Sequence, residues 1–234
     1  MAQAQLTSTT EVSNPNCPWG GEHSNDVLTT NKRRNQEELD RAIALANRYA
    51  HIVDVVSAGN EATVDWIDHL VTPEAVTAYV AYLQQHIAQP VTFCENYVPW
   101  LDKLAGLAEQ VDLISIHTYP VWEYKTIDKA LAYTKANYLA VSERYPTKQV
   151  VITEAGWATA SNGRGIPPEN VGEFYQKQYL DALCEWAAEN NILTYVFEAF
   201  DENWKGSDHP LEPEKHWGIY RANREPKLAV AQSG

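Results

Sequence analysis

The sequence predicts an α/β fold in which parallel strands alternate with helices. Short apolar runs rich in β-branched residues recur along the chain, as buried parallel strands do, and amphipathic helical stretches lie between them. Strict alternation implies a parallel sheet that is either open or closed into a barrel. The glycine-rich turn after the first strand of an open nucleotide-binding sheet is absent from the sequence, so we predict a βα barrel.

Apolar, β-branched runs predict the strands. Five are clear, at residues 52–57, 91–94, 111–116, 149–153 and 193–197. Residues 5–12 have strand propensity with weak periodicity and are predicted as a sixth strand. No linker or low-complexity segment divides the chain, so residues 1–234 are predicted to form a single domain.

Apolar residues at helical spacing predict helices between these strands. Asn35 with Glu38 resembles an N-terminal capping arrangement, and Thr72 with Pro73 supplies an N-cap followed by proline at the first helical position. A long polar loop is predicted after the last strand, over residues 201–216. The predicted helices span residues 35–50, 73–87, 100–110, 127–144 and 169–190.

Composition and charge exclude several classes of partner. Hydrophobic residues make up 44% and charged residues 21% of the chain, as in soluble globular proteins. A formal charge of −13 without a basic face argues against nucleic acid and suits a neutral or weakly charged substrate. Apolar runs are too short to span a membrane, and no signal-peptide pattern opens the chain, so no membrane partner is predicted.

Cysteine and histidine spacing gives no sign of a metal site. Cys17, Cys94 and Cys184 are far apart, and the last two are predicted to be small core residues. None of the seven histidines stands at a close ligand spacing. We therefore predict neither a metal nor a cofactor.

Two glutamates stand where predicted strands end. Glu61 follows a run ending in Ala-Gly-Asn, and Glu154 follows Val-Val-Ile-Thr. Parallel strands in βα barrels carry their chemistry at their C-terminal ends. A pair of carboxylates is the minimal machinery for cleaving a glycosidic bond. Small neighbours are expected to leave room for a ligand at both places, namely Gly59, Ala62, Ala155 and Gly156.

Aromatic composition favours a sugar ligand. Eight Trp and thirteen Tyr outnumber four Phe. Trp and Tyr combine a flat apolar face with a hydrogen-bonding group, which matches the apolar faces and polar edges of sugar rings.

Three motifs together resemble glycoside hydrolase family 17. They are Asn60-Glu61 in AGNEA, Glu154 in ITEAGW, and FDENWK followed by EKHWGIY, in this order along the chain. The family comprises β-1,3-glucanases and related glucanosyltransferases on a (β/α)8 barrel of the TIM type. The resemblance extends over about residues 14–228 and implies β-glucan as substrate.

The resemblance also implies roles for the motif residues. Glu61 matches the general acid/base and Glu154 matches the nucleophile of a retaining double displacement, in which two carboxyl groups lie about 5–5.5 Å apart. Asn60 matches the residue that hydrogen-bonds the sugar 2-hydroxyl. Tyr119 matches an aromatic residue that lines the cleft.

Further residues are expected at the substrate cleft. Glu202, Lys205 and Glu214 match a supporting charge cluster of the family, in which Lys205 is expected to hold Glu154 or Glu214 ionised. Candidate sugar platforms and additional strand-end carboxylates complete the set, namely Trp157, Trp204, Trp217, Glu95 and Glu198.

Counting strands predicts an incomplete barrel. Six strands are found where a (β/α)8 barrel has eight, and the motif expected at the fourth strand already occurs at Glu61. About two βα units before it are therefore expected to be missing. An incomplete barrel exposes strand edges and apolar surface, so we expect self-association or coverage by the N-terminal segment.

Three functions fit these observations. The first is a β-1,3-glucan hydrolase, the second a β-1,3-glucanosyltransferase with the same carboxylate pair, and the third an inactive glucan-binding barrel. Because polymeric glucan is met outside the cytoplasm, an extracellular or periplasmic location is expected.

Overall fold

The computed structural model describes residues 1–10, 23–67 and 69–230. Within these ranges the strands are β1 (Ala2–Gln3), β2 (Val56–Asn60), β3 (Val91–Asn96), β4 (Leu113–His117), β5 (Gln149–Ala155) and β6 (Thr194–Val196). The helices are α1 (Asn25–Arg48), α2 (Pro73–His86), α3 (Tyr97–Leu101), α4 (Ala105–Gln110), α5 (Ile127–Arg144) and α6 (Glu173–Glu189). Short 3-10 turns lie at Pro168–Asn170 and Pro213–Lys215.

The strands follow one another across the sheet in their order along the chain, from β1 to β6. Strand β1 pairs parallel with β2, β2 pairs parallel with β3, and β5 pairs parallel with β6. This succession of parallel strands is that of a βα barrel, with about six of its units in the chain. The predicted fold class is therefore confirmed.

The chain divides into two compact units. The first comprises Met1–Ile116 and Val141–Val150, and the second comprises His117–Ala140 and Val151–Gly234. Each is described below by itself, and the prediction of one domain over residues 1–234 stays a prediction.

Strand β1 is shorter and lies earlier than predicted. Its two residues pair with Val56 and Ser57, and the amide of Ala4 continues the ladder to the Ser57 carbonyl at 3.1 Å. The prediction of a strand over residues 5–12 is wrong for residues 5–10, and residues 11 and 12 lie outside the described ranges. Leu6 is buried instead as a packing residue against the face of Gly59.

Helix α1 begins well before the predicted cap at Asn35. Its N-cap is Ser24, whose hydroxyl oxygen accepts from the Val27 amide at 3.4 Å. Asn35 lies inside the helix with its side chain fully buried. Its Oδ1 accepts from the Thr7 amide at 2.7 Å, and its Nδ2 donates to the Thr7 carbonyl at 2.9 Å. Asn35 therefore anchors the extended N-terminal segment rather than the helix end.

Other predicted elements are close to the observed ones. Thr72 caps α2 by accepting from the Ala75 amide at 3.2 Å, with Pro73 at the first helical position. Helix α5 has the predicted bounds. The predicted helix over residues 100–110 is divided into α3 and α4, because Asp102 ends α3 with a non-helical backbone at φ −126° and ψ −95°.

The cysteines differ in their surroundings. Cys94 is buried, as predicted, whereas Cys184 is exposed because it lies on the solvent side of α6. Cys17 lies outside the described residues.

In the described ranges, no helix is long and apolar enough to cross a membrane.

A groove in the first unit lies beside β1. Self-association through the incomplete sheet stays a prediction. Apolar side chains line this groove, including Met1, Leu45, Tyr49, Ile52 and Val53.

Substituting Asn35→Ala is expected to lower the free energy of unfolding by about 2–4 kcal/mol, because the Thr7 amide and carbonyl lose their partners. Urea denaturation with an unchanged m-value measures this loss. Asn47→Ala is the matched control on the same helix, since Asn47 is exposed and its side chain donates to the His86 carbonyl at the protein surface. Equal losses in the two variants would contradict the anchoring role.

Candidate active site

Glu61 in the first unit follows directly on the last residue of β2. Its amide donates to the Cys94 carbonyl at 2.9 Å, so pairing with β3 continues through the residue. Its φ is +43°, in the left-handed region that costs an L-residue roughly 1–2 kcal/mol. Strained backbone of this kind persists only where the surroundings hold it, and it clusters at functional sites.

Asn60 precedes Glu61 and presents a polar atom that needs a partner. Its Oδ1 is buried and has no hydrogen-bond partner among the described residues. A buried acceptor left unsatisfied is costly, so a hydroxyl group from a ligand would be stabilised there.

Glu95, near the end of β3, is fully buried and therefore does not line a cleft as expected. Its Oε2 accepts from the amide and the hydroxyl of Thr63 at 2.8 and 2.7 Å, and its Oε1 accepts from the Asn96 amide at 2.7 Å. Burial, and second the nearby Glu61 carboxyl, raise the pKa of Glu95 to about 7. The hydrogen bonds from Thr63 and Asn96 oppose this rise.

Glu154 in the second unit is the second-last residue of β5, and its side chain is partly exposed. The hydroxyl of Tyr119 donates a short hydrogen bond to Glu154 Oε2, and His117 Nδ1 lies 3.4 Å from the same oxygen. The backbone is fixed as well, because the Thr118 amide donates to the Glu154 carbonyl at 3.0 Å. Glu154 is thus oriented through both its side chain and its main chain.

Aromatic rings hold Tyr119 in place. Its ring packs edge-on against Phe197, with centroids 5.6 Å apart, and against Trp217 at 5.1 Å. Edge-to-face contacts at these distances are favourable and fix ring orientation. Tyr119 therefore reaches Glu154 from a packed aromatic cluster.

Lys205 stands among three carboxylates after β6. Its Nζ lies 3.8 Å from Glu198, 3.4 Å from Glu202 and 4.0 Å from Glu214, and 4.4 Å from the centroid of the Phe197 ring. The expected contact of Lys205 with Glu214 is present. Burial raises the pKa of Glu198 to about 7 against the effect of Lys205, and the charges of Glu202 and Glu214 add to the rise.

The loop that carries Lys205 is held by hydrogen bonds within itself and from Arg164 in the segment after β5. Lys215 Nζ donates to the Asn203 carbonyl at 2.5 Å. Glu212 is fully buried and accepts from Ser207 at 2.5 Å and from Arg164 at 3.1 Å. The loop thus has a fixed conformation of its own.

A buried ion pair fixes the start of this loop. Lys227 Nζ donates to Asp201 Oδ1 at 2.6 Å, and both side chains are less than one-tenth exposed. The Gly218 amide donates to the same oxygen at 3.1 Å.

The three candidate tryptophans have different surroundings. Trp157 is fully buried, and its Nε1 donates to the Asn170 carbonyl at 2.9 Å. Trp217 is 1% exposed. Neither offers a surface to a sugar, so their prediction as platforms is corrected. Trp204 is 77% exposed on the loop after β6 and presents an open ring face.

The small residues beside the two glutamates make room for protein rather than ligand. A Cβ at Gly59 would lie 2.7 Å from Leu6 Cδ1 and 2.9 Å from Phe93. A Cβ at Gly156 would lie 2.0 Å from the Phe197 carbonyl oxygen. The expected ligand space at these two positions is therefore filled by packing.

Gln176 on α6 is a supporting residue that the sequence analysis missed. It is fully buried, and its Nε2 faces the carbonyl groups of Trp157, Trp217 and Gly218 at 3.0, 3.1 and 3.2 Å. It joins the segment after β5 to the segment that carries Trp217. Its position three residues before the buried Tyr179 was the available signal.

Barrel enzymes carry their chemistry at the C-terminal ends of parallel strands, and glycoside hydrolases use a pair of carboxyl groups. The chain belongs to the family of the BtgE/BtgC glycoside hydrolase domain, whose model matches residues 24–218. The resemblance to glycoside hydrolase family 17 is thereby confirmed.

Curated relatives carry related names. A glucan 1,3-beta-glucosidase of Arthroderma benhamiae is 28% identical over 133 residues, which are 50% of this chain and 42% of that protein. A probable glucan endo-1,3-beta-glucosidase, btgC, of Aspergillus clavatus is 24% identical over 226 residues, which are 88% of this chain and 32% of that protein. The chain thus spans less than half the length of these two relatives.

Solved structures share the fold. An endo-laminarinase from Formosa Hel1_33_131 superposes with a TM-score of 0.78 at 24% identity, covering 97% of this chain and 68% of that one. An active-site mutant of Rhizomucor miehei beta-1,3-glucanosyltransferase, in complex with laminaritriose, gives a TM-score of 0.71 at 21% identity. That match covers 85% of this chain and 71% of the other.

The backbone of Glu61 predicts an unusual order of stabilities. Glu61→Gly should be about 1 kcal/mol more stable than Glu61→Ala, because glycine adopts positive φ without strain. Glu109 in α4 is the control, since there alanine should exceed glycine by about 1 kcal/mol. Chemical denaturation of the four variants measures both differences. If Glu61→Ala is as stable as Glu61→Gly, the backbone at position 61 is not strained.

The pKa of Glu95 predicts a pH-dependent stability. Its folded-state value of about 7 lies above the ordinary 4.5, so the folded protein binds the proton more tightly and loses stability as pH rises between these values. Glu95→Gln removes this loss, so its stability relative to the wild type should rise by roughly 2–3 kcal/mol from pH 4.5 to pH 7.5. Urea unfolding across this range tests it, with the exposed Glu109→Gln expected to follow the wild type.

Proposed function

We propose that the chain is the catalytic domain of a retaining glycoside hydrolase that cleaves β-1,3-glucan, with Glu154 as nucleophile and Glu61 as general acid/base. The orientation of the Glu154 carboxylate by Tyr119 carries the proposal, since it prepares one carboxylate oxygen and leaves a partly exposed side chain at a strand end. Membership of the glycoside hydrolase family and the glucan-directed names of the relatives support it.

The first step forms a covalent glycosyl ester. An oxygen of Glu154 attacks the anomeric carbon, and the bond from that carbon to the leaving glycosidic oxygen breaks. Glu61 donates its proton to the leaving oxygen, so the released sugar departs as an alcohol. The hydrogen bond from Tyr119 favours the ionised form of Glu154 that the attack requires.

The second step releases the sugar. Glu61, now ionised, takes a proton from a water molecule, and the water oxygen attacks the anomeric carbon. The ester bond to Glu154 breaks and the carboxylate is restored. If a sugar hydroxyl replaces the water, the same steps give transglycosylation.

We assign substrate contacts to three kinds of group, namely a hydrogen-bond acceptor, an exposed aromatic ring and a charged cluster. Asn60 offers its buried Oδ1 to the sugar 2-hydroxyl, a hydroxyl being able to donate the hydrogen bond that this oxygen lacks. Trp204 offers an exposed ring for stacking. Lys205, with Glu202 and Glu214, offers a charged group at the same loop for hydroxyl recognition.

The proposed polysaccharide substrate is met outside the cytoplasm, so we propose an extracellular or periplasmic location. One relative, 36% identical over 75 residues, is named cell surface mannoprotein MP65 of Candida albicans, which agrees with this placement.

The experiment compares the wild type with Glu154→Ala, Glu61→Ala and the exposed control Glu109→Ala on laminarin. Both site variants should lose at least about 100-fold in kcat, since each removes a group that acts in the transition state. With a dinitrophenyl β-glucoside, whose leaving group needs no proton, added azide should rescue Glu61→Ala by replacing water and give the β-glycosyl azide. Azide should rescue Glu154→Ala by replacing the nucleophile and give the α-glycosyl azide. Full activity in either variant would disprove its assigned role.

Product analysis on laminari-oligosaccharides separates the related functions. Shorter products alone indicate hydrolysis. Products longer than the substrate indicate the transferase activity named for the Rhizomucor miehei neighbour. Binding without any change in oligosaccharide length would identify a glucan-binding barrel and overturn the proposed hydrolase.

A further inference from the structure

The buried carboxyl group of Glu95 binds a short segment of backbone that follows Glu61. The side chain has no exposed surface, and its Oε2 accepts two hydrogen bonds from Thr63, which lies two residues after Glu61. Burying an acidic side chain is costly unless hydrogen bonds replace its lost contacts with water. A structural filler of this volume could be apolar, so the choice of a carboxyl group calls for a physical reason.

The surrounding donors supply that reason. The Thr63 amide, the Thr63 hydroxyl and the Asn96 amide all point hydrogens at the Glu95 oxygens. The two oxygens of a carboxyl group offer about four acceptor sites, and protonation uses one of them, so three donors are satisfied whether or not the proton is bound. A glutamine would turn its own NH2 group toward one of these donors. Glu95 therefore fits the site as an acceptor of three bonds.

These bonds act on the backbone that carries Glu61. The Glu61 amide donates to the Cys94 carbonyl. The Thr63 amide donates to the side chain of Glu95, which directly follows Cys94 in β3. Two consecutive residues of β3 thus hold both ends of residues 61–63. The turn between these points is tight, and Glu61 adopts its φ of +43° within it.

We propose that Glu95 is a positioning residue for Glu61, because it clamps Thr63 and so sets the direction from which Glu61 delivers its proton. The inference rests on the proposed role of Glu61 as general acid/base. Glu95 itself does not touch the substrate.

Isosteric variants of Thr63 and Glu95 test the clamp. Thr63→Val removes only the hydroxyl, Thr63→Ser keeps it, and Glu95→Gln removes one acceptor. Thr92→Val is the matched control, because Thr92 is a buried threonine on β3 whose hydroxyl donates to the Leu113 carbonyl at 2.8 Å.

The kinetic readout separates positioning from general support. On laminari-oligosaccharides, Thr63→Val and Glu95→Gln should lower kcat roughly 10- to 100-fold with KM little changed, as small misplacements of catalytic groups do. The burst of dinitrophenolate from an activated β-glucoside should stay near the wild-type rate, because this leaving group needs no proton. Thr63→Ser and Thr92→Val should retain wild-type rates on both substrates. Equal losses on the two substrates would overturn the positioning role.

A second readout is independent of activity. In nuclear magnetic resonance spectra, Glu95→Gln should speed hydrogen exchange of the Thr63 amide and change the φ-sensitive coupling of Glu61, while Thr92→Val changes neither. Unchanged exchange and coupling in Glu95→Gln would overturn the clamp. A wild type that cleaves neither substrate would instead refute the proposed function, and the spectra would still decide whether Glu95 holds the turn.

Discussion

Backbone hydrogen bonds between strand ends are the constraint on which the candidate site depends. The Glu61 amide is bonded to the Cys94 carbonyl in the first unit, and the Glu154 carbonyl accepts from the Thr118 amide in the second. Each glutamate therefore stands on main chain that a neighbouring strand end holds. Side chains only refine this placement, as Tyr119 does for Glu154. Catalytic groups on rigid elements are placed more accurately than groups on free loops.

Ionisable side chains are buried at several places in the fold, and in each case hydrogen bonds compensate for the lost contact with water. Glu95 is satisfied by three donors, whereas Glu212 is satisfied by an arginine and a serine. Lys227 is satisfied by Asp201. Removing one member of such a group leaves the other unpaired in a poorly solvated place, which costs more than the group gains when intact. The acid-rich sequence thus places some of its acidic side chains inside the fold.

Local patterns in the sequence were enough for the strand-helix order and for the strand-end placement of the two glutamates. Local patterns did not predict the surroundings of side chains that contact residues far away in sequence. Asn35 looks like a helix cap, but its amide pairs with Thr7 far away in sequence. Trp157 looks like a sugar platform, but α6 and its neighbours bury it. The role of Gln176 was not predicted, because its only distinguishing feature in the sequence is that it is a polar residue on the apolar side of α6.

The loop after β6 has a consequence for how tightly a ligand could be held. Its cross-links through Lys215 and Glu212 are made between protein groups, so folding itself restricts the conformational freedom of the loop. A molecule stacking on the exposed ring of Trp204 would then meet a surface that needs no ordering. A flexible loop loses conformational entropy when it binds a ligand, whereas this loop loses that entropy when the protein folds. The affinity for a ligand at Trp204 therefore depends mainly on the contact with the ring.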